Sequence, residues 1–178
     1  LLVTTPHHIE EALDSVEWNT LMFFAGLFIL IGALSAMGMV EALAQNTKSI
    51  IESAPAESRL MVALLLLLWV SAIASAFIDN IPFTATMVPV MITIAEDAAV
   101  GLPLGPLAWA LALGACLGGN GTLIGASANV ATAGIAEQAG HAISFKRFFR
   151  TGFPIMIVSV ILASAYLVVM YVIEWSAP

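Results

Sequence analysis

Long apolar segments alternate with short polar ones along the whole chain. Apolar runs cover about 21–43, 60–77 and 152–175, and few of their residues carry a charge. An apolar stretch of about 18 residues or more is long enough to cross the hydrocarbon core of a bilayer as a helix. The pattern therefore predicts an all-α integral membrane protein with several membrane crossings.

The polar segments divide residues 1–178 into predicted units. Acidic residues at helical spacing near the start, and weakly amphipathic residues after the first crossing, indicate segments that lie on the membrane surface. In chain order the predicted units are an interfacial helix (1–17), a transmembrane helix (18–44), an interfacial segment (45–59), a re-entrant hairpin (60–97), a broken transmembrane helix (104–139), a basic connector (141–150) and a final transmembrane helix (151–175).

The hairpin is predicted from polar residues that interrupt the second apolar run. The stretch "FIDNIPFT" covers 77–84, and Pro82 lacks an N–H and disfavours helical torsions in the residue before it. We therefore expect one helix to end at Asp79 or Asn80 and another to begin near Pro82, because proline is favourable in a first turn. The second helix is short and contains Pro89, which indicates a hairpin whose polar tip lies in mid-membrane.

A second interruption, "GGNGT" at 118–122, divides the segment that follows the hairpin. The apolar half before it, 104–117, is about 20 Å long at 1.5 Å per residue, which is too short to cross a bilayer. The half after it, 123–139, is rich in glycine, alanine, serine and threonine, which let neighbouring helices approach closely. This pattern predicts a transmembrane helix that is broken near its middle.

The two interruptions together form the candidate binding site. In hydrocarbon an unpaired backbone N–H or C=O costs several kcal/mol, so irregular backbone survives only inside protein or beside a cavity. Neutral carbonyl and side-chain oxygens suit a hard cation such as Na⁺, whereas the N-termini of half-helices suit an anion. The candidate ion-binding or substrate-binding residues are Asp79, Asn80, Thr84, Thr86, Gly119, Asn120, Gly121, Thr122, Ser127 and Asn129. A Na⁺ site is predicted at four of them, namely Asn80, Gly119, Asn120 and Thr122.

Asp79 is the one acidic residue deep in the apolar region. A charge at membrane depth is costly and by default indicates a function. We interpret Asp79 either as a cation ligand or as a proton carrier. The alternative is a carboxylate that only caps a helix or stabilises the hairpin tip.

Composition and charge exclude several other classes of protein. The chain is 61% hydrophobic and 10% charged, and its five Lys and Arg residues form no basic stripe, which excludes nucleic-acid binding. The single cysteine, Cys116, rules out an intrachain disulfide and is expected to be a small buried hydrophobic residue. The chain has no Ser/His pair, second deep aspartate or HExxH sequence, so an enzyme is not predicted. No cofactor is expected beyond Na⁺ or H⁺ as a coupling ion.

The basic residues predict the orientation of the chain in the membrane. Lys146, Arg147 and Arg150 lie together with no acidic residue between them, so the connector at 140–150 is predicted to be cytoplasmic. The broken helix then puts 45–59 and the ends of the hairpin on the outer side. The chain begins without Met, and we interpret it as the C-terminal part of a longer membrane protein.

Two stretches resemble a known family. "DNIPFTATMVPV" (79–90) and "ALGACLGGNGTLIGASANV" (112–130) closely resemble the ion transporter superfamily, which includes P-protein-type transporters, citrate transporter-like domains, sodium–proton antiporters, arsenite permeases and sodium-coupled dicarboxylate transporters. The resemblance implies an inverted-repeat fold in which each repeat holds a re-entrant hairpin and a broken helix, and this chain resembles the second repeat. The partners that it implies are the missing N-terminal repeat, a second copy in a homodimer and the lipid bilayer, which in a prokaryote is the inner (plasma) membrane.

The hairpin tip departs from one branch of this superfamily. Sodium–dicarboxylate transporters carry a Ser-Asn-Thr motif there, which helps to bind Na⁺ and a substrate carboxylate. In this chain the Asn is matched by Asn80, Asp79 stands in place of the Ser, and the Thr is displaced to Thr84. The unwound part of the family's broken helix matches 118–122.

These observations predict secondary active transport of an ion or a small anion, coupled to Na⁺ or H⁺, by alternating access to a site at the membrane midplane. A passive anion channel is the first alternative, because a hairpin with a polar tip also builds selectivity filters. A membrane assembly partner that transports nothing is the second alternative, although polar residues at two membrane-depth interruptions are hard to explain in that role.

Overall fold

The computed structural model describes residues 36–98 and 100–173, together with a few positions between 22 and 34. The predicted interfacial helix at 1–17 and part of the predicted transmembrane helix at 18–44 lie outside the described residues. No β-strand occurs among the described residues. The helices with described bounds are α1 (Met39–Glu52), α2 (Arg59–Phe77), α3 (Asn80–Glu96), α4 (Leu104–Gly118), α5 (Ser127–Gln138) and α6 (Phe145–Val168). A 3₁₀ turn (Ala56–Ser58) precedes α2, and a π-helical turn (Val169–Ile173) follows α6.

The core lies between α2 and α4, which pack against each other along their length. Leu64 and Leu68 of α2 and Leu107 and Leu111 of α4 are buried there. Both helices are apolar on all sides, which is typical of helices surrounded by protein or lipid. In addition, α3 packs against α1 and α4, and α6 packs against α2 and α4. The hairpin and the first half of the broken helix therefore form one packed unit.

Glycine makes the close approach of α2 and α4 possible. A Cβ on Gly118 would collide with the carbonyl oxygen of Ala72, and it would lie only 2.7 Å from the Cα of the same residue. A Cβ on Gly114 would lie 2.7 Å from Ser71 Cβ. Small residues at helix contacts allow backbones to approach closely in membrane proteins. The C-terminal ends of α2 and α4 are thus brought together, and both interruptions begin at these ends.

Two of the described helices are long and apolar enough to cross a membrane. They cover Ala56–Phe77 and Phe145–Val172 and both have a mean hydropathy of 2.5, whereas α4 is apolar but shorter. The helices are joined where Trp69 Nε1 donates to Ser164 Oγ (3.1 Å), which in turn donates to Val160 O (2.8 Å). These helices agree with the prediction of an integral membrane protein. The re-entrant placement of the hairpin and the inverted repeat stay predictions.

Three helix boundaries before the broken helix differ from the sequence prediction. Gly38 has a left-handed conformation (φ 76°), which glycine adopts without a steric penalty, so α1 begins at Met39 and continues into the predicted interfacial segment. The next helix, α2, ends at Phe77, slightly earlier than expected. Then α3 begins at Asn80, so Pro82 lies inside its first turn, where its missing N–H breaks no helical hydrogen bond.

The later boundaries differ as well. The interruption covers 119–126 and is longer than the predicted 118–122, since α5 begins only at Ser127. The basic connector is not a separate element, because Ser144 caps α6 by accepting a hydrogen bond from Arg147 N (3.3 Å). The helix then continues from Phe145 into the predicted final crossing.

The cysteine is exposed rather than buried. Cys116 lies two residues after Gly114 and two before Gly118, which both face α2. Residues two apart on a helix do not share a face. The side of α4 that carries Cys116 is therefore turned away from the core.

An ion pair connects α1 to the far end of α3. Lys48 Nζ lies 2.5 Å from Asp97 Oδ2 and 3.6 Å from Glu52 Oε1. The hydrogen bond to Asp97 raises the pKa of Lys48 above its ordinary value of 10.5. A raised pKa means that protonated Lys48 stabilises the folded state. This stabilisation is fully present below pH 10.5 and is lost as the pH rises through the higher folded-state value.

Lys48→Met is therefore expected to lower the melting temperature of the detergent-purified full-length protein slightly at neutral pH, because an ion pair that water still reaches contributes little. The difference from the wild type should vanish above the raised pKa of Lys48. Lys146→Met is the matched control, since Lys146 is exposed and forms no ion pair with the described residues. A loss that does not change with pH, or an equal loss in the control, would contradict this role.

Candidate functional site

The two interruptions meet at one place in the fold. We call residues 78–79 the tip and residues 119–126 the break. Ser127 N, at the start of α5, donates to Asp79 Oδ2 in the tip (3.0 Å). The hydroxyl of Thr122 in the break donates to the carbonyl oxygen of Ala76, near the end of α2. Irregular backbone from two distant parts of the sequence is thus in direct contact.

Asp79 uses one carboxylate oxygen within the hairpin and the other toward the residue that follows the break. Oδ1 accepts a hydrogen bond from Ile81 N (3.1 Å), which makes Asp79 the N-cap of α3, while Oδ2 accepts from Ser127 N. Ala126, which precedes α5, has no side-chain oxygen with which to cap that helix. One carboxylate therefore serves two helix N-termini, whose partial positive charges both favour it. A capping role for Asp79 is present, and an ion-binding role stays a prediction.

Asn129 holds the break from the side of α5. Its Nδ2 donates to Gly119 O (2.8 Å) and to Thr122 O (3.1 Å). An amide nitrogen carries two hydrogens, so one side chain can satisfy both carbonyls. Gly119 and Thr122 belong to the predicted Na⁺ site. A cation bound to their two carbonyls would have to displace the side-chain amide of Asn129. These hydrogen bonds show that Gly119, Thr122 and Asn129 stabilise the irregular backbone of the break.

Two buried hydroxyls connect α2 to the end of α4 and to the break. Thr122 and Ser75 are fully buried. Thr122 donates to Ala76 O, and Ser75 Oγ donates to Ala115 O (2.7 Å). A buried hydroxyl without a partner would be destabilising, and both of these donate to a carbonyl. Gly121 packs beside them, where a Cβ would lie 3.1 Å from Ala76 Cβ.

The remaining candidates of the hairpin do not hydrogen-bond to the break within the described residues. Asn80 is the first residue of α3 and is partly buried. Thr84 follows it by four residues and so lies on the same helix face. Thr86 lies on a different face and donates back to Pro82 O within its own helix (2.9 Å). Of the two threonines, only Thr84 is aligned with Asn80.

A cavity of about 780 Å³ opens beside the break. We call it the Asn120 cavity, because exposed Asn120 belongs both to the break and to the cavity wall. His141 and several residues of α6, among them Arg147, Thr151 and Gly152, also line it. A Cβ on Gly152 would lie 2.6 Å from Asn120 O, so α6 touches the break at this point.

The sequence did not predict some residues around the site. Ser75 looks like any small residue of an apolar helix, and its position one turn before the tip is the only signal. From the sequence, Arg147 indicates orientation alone. Gly152 beside a basic cluster is the only sequence sign that α6 approaches another backbone.

The donor set of the site consists of oxygens and amides. Asp79 supplies a carboxylate, Asn80 and Asn120 supply amides, and the break supplies backbone carbonyls. In the described part of the chain, no three His, Cys, Asp or Glu side chains lie together as the ligands of a metal ion would. Oxygen ligands without thiol or imidazole suit hard cations. An alkali cation or a proton would suit such donors, and ion binding at these residues stays a prediction.

Similarity to known proteins decides the family. Residues 1–114 match the family described as "Citrate transporter". The chain belongs to the citrate transporter family. This family member is 54% identical over 173 residues to the human P protein and 47% identical over 174 residues to an "Uncharacterized transporter" of Mycobacterium bovis. It is 40% identical over 173 residues to a "46 kDa membrane protein" of Mycobacterium leprae.

The chain spans only part of these relatives. The matches cover 97% of this chain but 21% of the human P protein. They cover 96% of this chain and 39% of the M. bovis protein, and 97% of this chain and 39% of the M. leprae protein. No solved structure matches the chain. The transporter family and the long apolar helices together indicate an integral membrane protein.

Proposed function

We propose that the full-length protein is a secondary active transporter, which moves an ion or a small anion across the membrane and couples this movement to Na⁺ or H⁺. The contact between the tip and the break through Asp79 carries the proposal. It brings a carboxylate and two helix N-termini to one place, and coupled transporters bind ion and substrate at such broken helices. The family and the relatives that are named transporters support transport rather than catalysis.

Asp79, Asn80 and Asn120 are the residues that we propose to contact the ion or substrate. Asp79 offers a charge for a cation or a proton, Asn80 follows it directly, and Asn120 is exposed toward the cavity. A small carboxylate such as citrate is the first substrate to test, because the family is described as "Citrate transporter". The other candidate residues in the break and at the start of α5 would hold the backbone in place for binding, and these are Gly119, Gly121, Thr122, Ser127 and Asn129.

The remainder of the full-length protein is proposed to complete the site. In the described structure α5 has no buried residue, although seven of its 12 residues are alanine, glycine, valine or isoleucine. Such a helix needs neighbours to exclude water or lipid from its small residues. The N-terminal repeat and a second copy of the protein are the partners proposed to supply them.

Asn80→Ala and Asn120→Ala should each lower gradient-driven uptake about tenfold or more. An interaction between a polar group and a charge contributes about 1.5–3 kcal/mol, which corresponds to at least tenfold in binding. Uptake of radiolabelled citrate and sodium is measured with full-length protein in proteoliposomes, with Na⁺ and pH gradients imposed separately. Asn46→Ala is the matched control, since Asn46 is exposed on α1.

Two results would count against this proposal. Uptake that is unchanged in both variants would reject the assigned residues. A current that reverses at the Nernst potential of a single ion, without any coupled counter-flux, would show a passive channel instead of a coupled transporter.

A further inference from the structure

We propose that the Asn120 cavity is an anion-binding vestibule, in which Arg147 attracts a small carboxylate or phosphate to the edge of the break. The vestibule rests on the proposed transport function for its biological role. Anion binding itself is a separate property and can be measured without any transport. The anion is proposed to be a soluble one. A lipid headgroup can carry the same chemical group, and the experiment below distinguishes the two.

The charges around the cavity are of one sign. Arg147 lines it beside the polar residues His141, Thr151 and Asn120. A neighbouring cavity of about 640 Å³ is lined by Arg147, Thr151, Lys146 and Arg150. None of the acidic residues in the described part of the chain lines either cavity. A cleft with charges of a single sign concentrates ions of the opposite sign.

The basic residues Lys146, Arg147 and Arg150 lie near the N-terminus of α6, where the helix dipole makes positive charges unfavourable. Ser144 caps α6, so Lys146 and Arg147 lie in its first turn and Arg150 in its second. The N-terminus of a helix carries a partial positive charge, and cations there are unfavourable for the helix itself. The rule that basic residues stay cytoplasmic accounts for a positive charge on this face of the membrane. It does not account for Arg147 lining a cavity that reaches the break.

The cavity leads directly to the proposed transport site. Asn120 lies in its wall, and Gly152 lets α6 approach within contact of Asn120 O. Arg147 and Thr151 are four residues apart and so lie on one face of α6. A guanidinium binds a carboxylate or phosphate through two parallel hydrogen bonds, and a hydroxyl and an amide can donate to its remaining oxygens. A volume of about 780 Å³ accommodates an anion of the size of citrate or phosphate.

Labelling of a cysteine in the cavity measures anion attraction without transport. Thr151 is exposed and lines the cavity, so Thr151→Cys is introduced into full-length protein from which the other accessible cysteines, including Cys116, are removed. The protein is reconstituted in nanodiscs of phosphatidylcholine, which leave both faces open. Labelling rates are then compared for a negatively and a positively charged methanethiosulfonate of similar size, with and without citrate or inorganic phosphate.

Arg147→Gln is expected to lower the ratio of negative to positive labelling rates about tenfold, and the ratio should also fall as salt is added. Arg147→Lys keeps the charge and should retain most of the ratio. Lys146→Gln removes the same charge one residue away, where the side chain lines only the second cavity, and should change the ratio much less. Citrate or phosphate should slow the labelling of the protein with Arg147 intact, but not that of Arg147→Gln.

Three results separate this inference from its alternatives. Equal ratios in Arg147→Gln and Lys146→Gln would overturn it. Protection that requires phosphatidylglycerol in the nanodisc, with no effect of citrate or phosphate, would assign the cavity to a lipid headgroup and would also overturn it. Protection by soluble anions in a protein that shows no uptake in proteoliposomes would support the vestibule and reject the transport function.

Discussion

Gly118→Ala is expected to lower the free energy of unfolding of the full-length protein by about 3 kcal/mol, the upper end for overpacked cores. The new methyl group would meet the backbone of Ala72, with its Cα at 2.7 Å and its carbonyl carbon at 2.8 Å. Backbone atoms of a packed helix cannot rotate away, so α2 and α4 would have to separate. The fraction of protein that stays monodisperse after heating in detergent measures this loss.

Gly105→Ala provides the matched control for this substitution. It makes the same change in the same helix, at a position where an added Cβ has no atom within 4 Å. Alanine restricts the unfolded chain more than glycine does, so this variant should be as stable as the wild type or up to about 1 kcal/mol more stable. Equal melting behaviour of the two variants would show that the α2–α4 contact is not as close as described.

Asp79→Ala is expected to reduce uptake in proteoliposomes about tenfold or more. The substitution removes the acceptor for both Ile81 N and Ser127 N. A hydrogen bond to a charged group contributes about 1.5–3 kcal/mol, and the low end applies here because Asp79 is partly exposed. The loss of one such bond corresponds to an about tenfold smaller equilibrium constant for the arrangement in which residue 79 holds Ser127 N.

Asp79→Asn separates the two roles of this residue. Asparagine caps a helix about as well as aspartate, so its single acceptor oxygen can still accept from Ile81 N. It cannot also accept from Ser127 N, so the melting temperature should fall slightly. It carries no charge, so uptake should still be lost if the carboxylate binds the coupling ion or carries a proton. Uptake equal to that of the wild type would mean that the charge of Asp79 is not needed and that the residue acts only as a helix cap.

The positions of the two interruptions could be predicted because their causes are local. Pro82 and the glycine-rich 118–122 break helices through properties of their own backbone, whatever surrounds them. The extent of the second interruption could not be predicted. It continues to 126 because Gly125 lies against Ser75 and Ala76, where a Cβ would be 3.0 Å from both carbonyl oxygens. This contact is made with α2, and the sequence pattern of 118–126 alone does not reveal it.

The candidate site could be predicted less completely than the fold. Asp79 and Ser127 could be predicted as candidates because each is a polar residue at a helix interruption. Their hydrogen bond could not be predicted, because they are 48 positions apart along the chain and meet only through the packing of α2 on α4. Thr86 was predicted as a site residue from its hydroxyl and its position after the tip. Only the structure shows that this hydroxyl donates to Pro82 O within its own helix. Arg147 was unpredictable as a cavity residue because the cavity forms only when α6 meets the break.

The joint between the hairpin and the broken helix is held by several contacts. Ser75, Thr122 and Asp79 each bond across it to the backbone of the other element, and the glycines of α4 leave no slack between the helices. A motion that pulled the two apart would have to break all three connections at once and strip two buried hydroxyls of their partners. If the full-length protein moves a solute by alternating access, as proposed, α2 and α4 would have to move together.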